Sequence, residues 1–243
     1  MKMFLILLMT LVLCQILWAQ DAVKSDVHLF QTFLRDAPIS SSGYGEFGVA
    51  YLNYDFLNQT SLGLQGGYPI NEKIEIDVGL GFLFMNPDFA DNQSGLSDIA
   101  VTGRYLIVED NKNLSAGGYL TLPVGSNDLW GQNRFNFGAF AAIRQPLNEK
   151  FVFTGVLGLD FLEIGNDHEA AILINIGTIY AMNEKLHLVG ELKFQSRVDY
   201  VLLSGGADYS LNEKGRIRGA LGFGLDDGAP DFMIMGSYML FLR

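Results

Sequence analysis

Residues 70–84 read INEKIEIDVGLGFLF. After the polar phrase, Ile74, Ile76, Val78, Leu80, Phe82 and Phe84 take every second position, with Glu75, Asp77, Gly79 and Gly81 between them. Successive side chains of a β-strand point to opposite faces, so the stretch predicts a strand with one apolar face and one small or acidic face. The phrase itself returns as LNEK at 147–150 and 211–214 and as MNEK at 182–185. Each copy separates two alternating stretches. Asn tolerates left-handed backbone and bonds its own main chain, while Glu and Lys keep a tip hydrated, so each copy predicts a tight turn.

The same two-residue period runs outward from this stretch in both directions. Leu62, Leu64, Tyr68 and Ile70 oppose Ser61, Gly63, Gln65 and Gly67, and Leu186, Leu188, Leu192 and Phe194 oppose His187, Glu191, Lys193 and Gln195. A soluble sandwich shares the period, so the environment of each face decides between the two. The apolar face is uniformly aliphatic or aromatic with Tyr near strand ends, and the other is rich in Gly, Ser, Asp and Arg, which suits lipid outside and a polar interior. Strands of about ten residues also suit a tilted bilayer crossing, where soluble strands run nearer five or six.

The expected strands are 43–56, 60–70, 74–84, 96–107, 114–124, 133–146, 151–162, 169–181, 186–197, 200–211, 215–225 and 231–242. Every NEK phrase, and EDNKN at 109–113, lies between an even strand and the next odd one. Neighbouring connections of an antiparallel barrel lie at opposite rims, and outer-membrane barrels carry short turns at the periplasmic rim. Inside hydrocarbon an unpaired amide costs several kcal/mol, so the sheet must close on itself. The fold class expected is therefore all-β: a single transmembrane antiparallel barrel of about twelve strands, over residues 43–243.

The first residues, MKMFLILLMTLVLCQILWAQ, carry one lysine and an apolar run ending at Ala19. Residues 1–19 read as a secretory signal peptide, with an amino-terminal membrane anchor as the rival reading. Cys14, the only cysteine, falls inside this segment, so cleavage leaves a chain without disulfides or thiolate metal ligands. Residues 20–42 carry Val27, Phe30 and Leu34 on one helical stripe, with Ser25 as a cap and Pro38 as a stop. They are either a short helix that enters the lumen as a plug or lies at the periplasmic mouth, or an unstructured tail. A net charge of −11 provides no electrostatic footprint for nucleic acid.

With the faces so assigned, the lumen is expected to display Glu75, Asp77, Asp98, Asp160, Glu191 and Asp208 beside Arg104, Arg134, Arg144, Lys193, Arg197, Arg216 and Arg218. Tyr119, Thr121, Phe140, Met233, Met235 and Met239 share the inward register. Charges of both signs either fill the lumen as a salt-bridged network or line a selective polar channel. An outer-membrane hydrolase would need a serine beside a histidine. The three histidines, His28, His168 and His187, are scattered and no serine sits in an elbow, so no catalytic or metal site and no cofactor is expected.

GLSDIAVTGRYLI at 95–107, followed by LSAGGYLTLPVGS at 114–126, resembles the MetA-pathway phenol-degradation family of outer-membrane proteins. Gly95, Leu96, Asp98, Arg104, Tyr105, Pro123 and Gly125 carry the likeness, and the alternation of FNFGAFAAIRQPLNEKFVFTGVLGLDF is similar too. The resemblance implies an outer-membrane barrel, proposed in some members to pass hydrophobic or aromatic compounds. The expectation is a passive channel in the outer membrane of a Gram-negative-type bacterium, with membrane lipid, the barrel-assembly machinery and a small solute as partners. Its alternative is a structural or surface-interaction protein with a filled, non-conducting lumen.

Overall fold

The computed structural model describes residues 26–110, 112–165 and 167–242. The signal-peptide reading of residues 1–19 lies outside them. The described chain is an antiparallel barrel, and all the expected strands are present. In order they are β1 (Tyr44–Tyr54), β2 (Leu57–Asn71), β3 (Ile74–Pro87), β4 (Gln93–Leu96), β5 (Ile99–Glu109), β6 (Asn113–Leu122), β7 (Phe137–Pro146), β8 (Phe151–Ile164), β9 (Asp167–Ala181), β10 (Leu186–Gln195), β11 (Tyr200–Ser210), β12 (Gly215–Gly224) and β13 (Phe232–Phe241). The fourth expected strand is split at Ser97 and Asp98 into β4 and β5, both of which pair with β3. Closure comes from β1, which pairs with β2 through Tyr44↔Gly67 and with β13 through Tyr44↔Phe241.

The repeated phrase makes the same turn each time. Asn71 Oδ1 accepts the amides of Lys73 and Ile74 at 2.8 and 3.0 Å. Asn148 accepts Lys150 and Phe151 at 2.9 and 3.0 Å, Asn183 accepts Lys185 and Leu186 at 2.9 Å each, and Asn212 accepts Lys214 and Gly215 at 2.8 and 2.9 Å. One side chain thus supplies acceptors that the tight backbone cannot. The four turns share a rim, which fixes it as the periplasmic one by the short-turn rule.

The two faces separate as the alternation requires. Ile76, Val78 and Leu80 are exposed on the outer wall, while Glu75 and Asp77 are fully buried inside. No helix among the described residues is long and apolar enough to cross a membrane; the crossing is made by strands. The outward rows are the lipid contact of an outer-membrane protein.

Residues 26–42 lie inside the barrel. Their side chains and backbone meet inward residues of most of the wall, from Glu75 on β3 to Arg218 on β12. They form no helix beyond a single 3-10 turn at Phe33–Arg35. The physical reason is that their polar backbone bonds to the wall instead of to itself. Phe30 N donates to Glu191 at 2.6 Å, Gln31 N donates to the same carboxylate at 3.2 Å, and Ser40 N donates to Glu75 at 2.5 Å. Glycine makes the room: a Cβ on Gly206 would stand 2.6 Å from the Phe30 ring and 2.4 Å from the Gly219 carbonyl oxygen.

Candidate functional site

The lumen has a charged middle and, toward its external end, an apolar surface on the side of β1, β11 and β13, with Lys193 over the Tyr200 ring at its edge. In the middle, Arg218 donates to Glu46 at 2.8 Å and to Asp208 at 3.1 Å, and Arg216 shares Asp208. Arg104 bridges Asp77 at 2.9 Å and Glu75, and Tyr44 Oη donates to both of these carboxylates, at 2.8 and 3.0 Å. Such buried charges are tolerable only when paired and hydrogen-bonded. The arrangement comes from adjacent inward positions on neighbouring strands, since Asp208 stands opposite Arg218 and Glu75 opposite Arg104 in the ladder.

The inserted segment completes these networks. Asp36 pairs with Arg144, both fully buried, and Arg35 reaches Asp160 at 3.0 Å. Arg218 donates to the His28 and Leu29 carbonyls, and Arg104 to the Leu34 carbonyl at 3.3 Å. Asn175 Nδ2 donates to Thr32 at 2.7 Å and to Glu191 at 2.9 Å. Arg218 also lies 4.5 Å from the Phe30 ring centroid, a cation–π distance. Apolar contacts add to this: Val27, Leu29 and Phe30 are buried with Val152, Ile179, Val189 and Ala220, and Met235 packs against them.

Above this girdle one side of the wall changes character. Tyr54 and Leu52 of β1 and Met233 and Met235 of β13 face inward, with Leu52 opposite Met233 and Ala50 opposite Met235. Leu52, Tyr200 and Met235 pack against the buried Leu202, Ala229 and Met233. Tyr54 packs against Leu57, Leu83, Met85 and Leu129. Met235 belongs to both this surface and the cluster around Phe30, so an apolar strip runs from the external mouth to the inserted segment. At the periplasmic end, Asp26, Ser40, Glu72, Glu109, Asp110 and Asn113 help line a cavity of about 640 Å³.

Of Tyr119 and the thirteen charged residues expected on the lumen, eleven point inward: Glu75, Asp77, Arg104, Tyr119, Arg144, Asp160, Glu191, Lys193, Asp208, Arg216 and Arg218. Three lie elsewhere. Asp98 occupies the break between β4 and β5 and accepts the amides of Gly125 at 2.9 Å, Asn133 at 3.1 Å and Arg134 at 2.9 Å. Its carboxylate thereby ties down the long connection between β6 and β7. Arg134 belongs to that connection, because β7 starts only at Phe137, and donates to the Glu163 carbonyl. Arg197 sits in a 3-10 turn past the end of β10, exposed and paired with Glu169.

Glu46 and Asn175 are polar lumen residues that the sequence reading omitted. Alternation with Phe47, Val49 and Tyr51, or with Ile174 and Ile176, marks both as inward. The histidines stand apart: His28 stacks on Tyr44 at 4.9 Å, and His168 contacts the Phe135 carbonyl at 2.8 Å on the outer face at the external end of β9. Among the described residues no group of three His, Cys, Asp or Glu could hold a metal ion.

Three comparisons bear on this geometry. A family model described as Putative MetA-pathway of phenol degradation matches residues 30–242. No curated protein matches the sequence. Among solved structures, the COG4313 outer membrane channel from Pseudomonas putida F1 is similar with a TM-score of 0.72 and 16% identity, over 88% of this chain and 99% of that one. The KdgM porin follows with a TM-score of 0.59 and 8% identity, over 82% and 99%. The Ralstonia pickettii toluene transporter TbuX has a TM-score of 0.51 and 9% identity, over 84% and 90%. At these identities the likeness is one of barrel fold.

Proposed function

The chain belongs to the MetA-pathway phenol-degradation family, and from that premise we propose that it is a channel for small hydrophobic or aromatic solutes, gated by its own residues 26–42. The observation that carries the proposal is the apolar strip from Tyr54 and Leu52, next-but-one neighbours on the inner face of β1, through Met233 to Met235, which packs against the cluster that includes Phe30 of the inserted segment. A pore for ions or sugars gains nothing from a methionine-lined wall. An apolar solute leaves water on reaching it, and methionine adapts to varied shapes. The toluene transporter and the channel named above share the barrel, which is consistent with this use. The same reading assigns the protein no catalytic role.

Passage requires the inserted segment to move, because Arg35, Asp36 and the carbonyls of residues 28, 29 and 34 hold it to the wall. That attachment favours a second reading, a barrel filled for structural purposes. Planar-bilayer recordings of the full chain and of a deletion of residues 26–42 separate the two, together with p-nitrophenol uptake into vesicles bearing a lipopolysaccharide outer leaflet. The channel reading expects uptake by the full chain and a large stepwise conductance after deletion. A deletion variant that folds yet stays closed, with no uptake by the full chain, sinks the channel and leaves the structural barrel.

A further inference from the structure

Phe56, Phe89 and Trp130 come from three different external connections, yet their rings converge. Phe56 and Trp130 are 5.9 Å apart and edge-on, Phe89 and Trp130 are 5.8 Å apart and edge-on, and Phe56 and Phe89 are 6.4 Å apart. Burial of such rings is strongly favourable, yet they remain 41%, 66% and 55% exposed. A cluster of large aromatics held together but left open is the kind of surface that marks a binding site.

Its connection to the lumen identifies the occupant. The Tyr54 ring lies 6.4 Å from that of Phe56, and Tyr54 faces inward. Leu129, next to Trp130, is buried among Leu57, Leu83 and Met85 of the inner wall, so the connection carrying Trp130 folds over the mouth. Leu52 follows Tyr54 on the same face of β1 and leads to Met233 and Met235. The loop is held there by Asp98 through three backbone amides and by Ser126 N, which donates to the Leu96 carbonyl at 2.9 Å.

We infer that Phe56, Phe89 and Trp130 form an external capture site for small uncharged aromatic solutes, which pass from it over Tyr54 onto the apolar strip. Edge-to-face ring pairing with a planar solute supplies the selectivity for aromatic over aliphatic compounds of the same size. This inference rests on the channel reading for what happens after capture, but capture itself is an equilibrium on a closed barrel. A lipid-anchoring role for the same rings is the competing account.

The sequence provides the probe. Trp130 and Trp18 are the only tryptophans, so the chain of residues 20–243 has a single indole, at the proposed site. Trp130 fluorescence of this chain, refolded in nanodiscs, is titrated with nitrobenzene, with cyclohexylmethanol as the aliphatic control and brominated lipid as the membrane control. The expected result is saturable quenching by nitrobenzene, competed by toluene and not by cyclohexylmethanol, with little quenching by brominated lipid. Phe89→Ala and Phe56→Leu should weaken the saturation constant by roughly three- to tenfold, with folding checked by heat-modifiable gel mobility. Linear quenching unchanged in these variants, or strong quenching by brominated lipid, overturns the site. Saturable quenching without vesicle uptake keeps the capture site and removes the channel, whereas uptake without saturable quenching removes the capture site alone.

Discussion

Arg35 of the inserted segment meets Asp160 of β8 inside the barrel, Nη1 lying 3.0 Å from Oδ1. The guanidinium also covers the Tyr119 ring at 3.9 Å. Asp160 is buried; the Gln195 amide donates to it at 3.1 Å, the Tyr119 hydroxyl also bonds it, and the Lys193 ammonium lies near enough to attract it. Arg35→Ala therefore leaves this buried carboxylate without its hydrogen-bonded guanidinium while Gln195, Tyr119 and Lys193 remain. Because Arg35 keeps some exposure, the expected cost is on the order of 2 kcal/mol, below the ~3–5 kcal/mol for breaking a fully buried pair on one side. Asp36→Ala, which removes the carboxylate paired with the fully buried Arg144 and leaves it the Val27 carbonyl, should reach that higher range. Thermal unfolding in detergent ranks the two variants, and an equal shift for both would contradict the burial difference.

How much of this was written in the sequence follows from which interactions are local. Strand faces were legible because lipid outside and charge inside impose a two-residue period, so Glu75, Asp77 and Leu80 fell on their correct sides. The turns were legible because each is closed by one asparagine bonding residues two and three places on. Arg197 and Arg134 were misplaced because periodicity runs on past the point where pairing ends. Asp98 was misplaced because its partners lie 27 to 36 residues away in a loop without period. The inserted segment could not be read at all in detail: its backbone bonds to carboxylates such as Glu191, some 160 residues distant, and no local pattern encodes that.

The turn asparagines make a second test. Asn148→Ala removes the acceptor for two amides at the rim, where water replaces part of what is lost. A typical net hydrogen bond is worth ~0.5–1.5 kcal/mol, so destabilisation of about 1 kcal/mol is expected from urea unfolding in lipid vesicles. Glu149→Ala, exposed at the same tip, should stay within about 0.5 kcal/mol. A larger effect at Glu149 than at Asn148 would show that the tip charge, and not the asparagine turn, closes the hairpin.

Depth in the membrane makes a third. Leu80 stands at the centre of β3 and faces lipid, whereas Ile76 on the same face lies close to the periplasmic turn. Arginine at the bilayer midplane of a barrel costs ~2–4 kcal/mol, falling to ~0–1 kcal/mol near the interface. Leu80→Arg should accordingly be several-fold more damaging to folding into vesicles than Ile76→Arg. If the two are equally tolerated, the outer face of β3 does not contact lipid.

Asp98 supports the external connection without supporting the barrel wall. Asp98→Ala frees the amides of Gly125, Asn133 and Arg134, all at the rim and within reach of water. Limited proteolysis should then cut the 123–136 connection much faster than in the parent chain, while the melting temperature of the barrel moves little. Unchanged proteolysis would mean that Thr121, whose hydroxyl donates to the Arg134 carbonyl at 2.7 Å and accepts the Asn136 amide at 2.8 Å, suffices to hold the loop.

Gly79 offers a way to dislodge the inserted segment without breaking an ion pair. It faces inward on β3, and a Cβ built there would meet only Leu34 Cδ1 at 3.3 Å and Gln65 Cβ at 3.7 Å. Gly79→Phe must therefore claim the space of Leu34, while the strand pairing of β3 keeps its backbone geometry. Overpacking a filled interior typically costs ~1–3 kcal/mol, and here the strain is relieved by moving the inserted segment, not the wall. The expected outcome is a barrel that folds, conducts more than the parent in planar bilayers, and becomes cleavable by trypsin after Arg35. Gly63→Phe is the control, since a Cβ at that inward glycine meets nothing within 4 Å. Conductance and cleavage that stay at parental levels in Gly79→Phe would show that the segment is held too firmly for contact at Leu34 to shift it, and that the ion pairs at Arg35 and Asp36 alone govern its position.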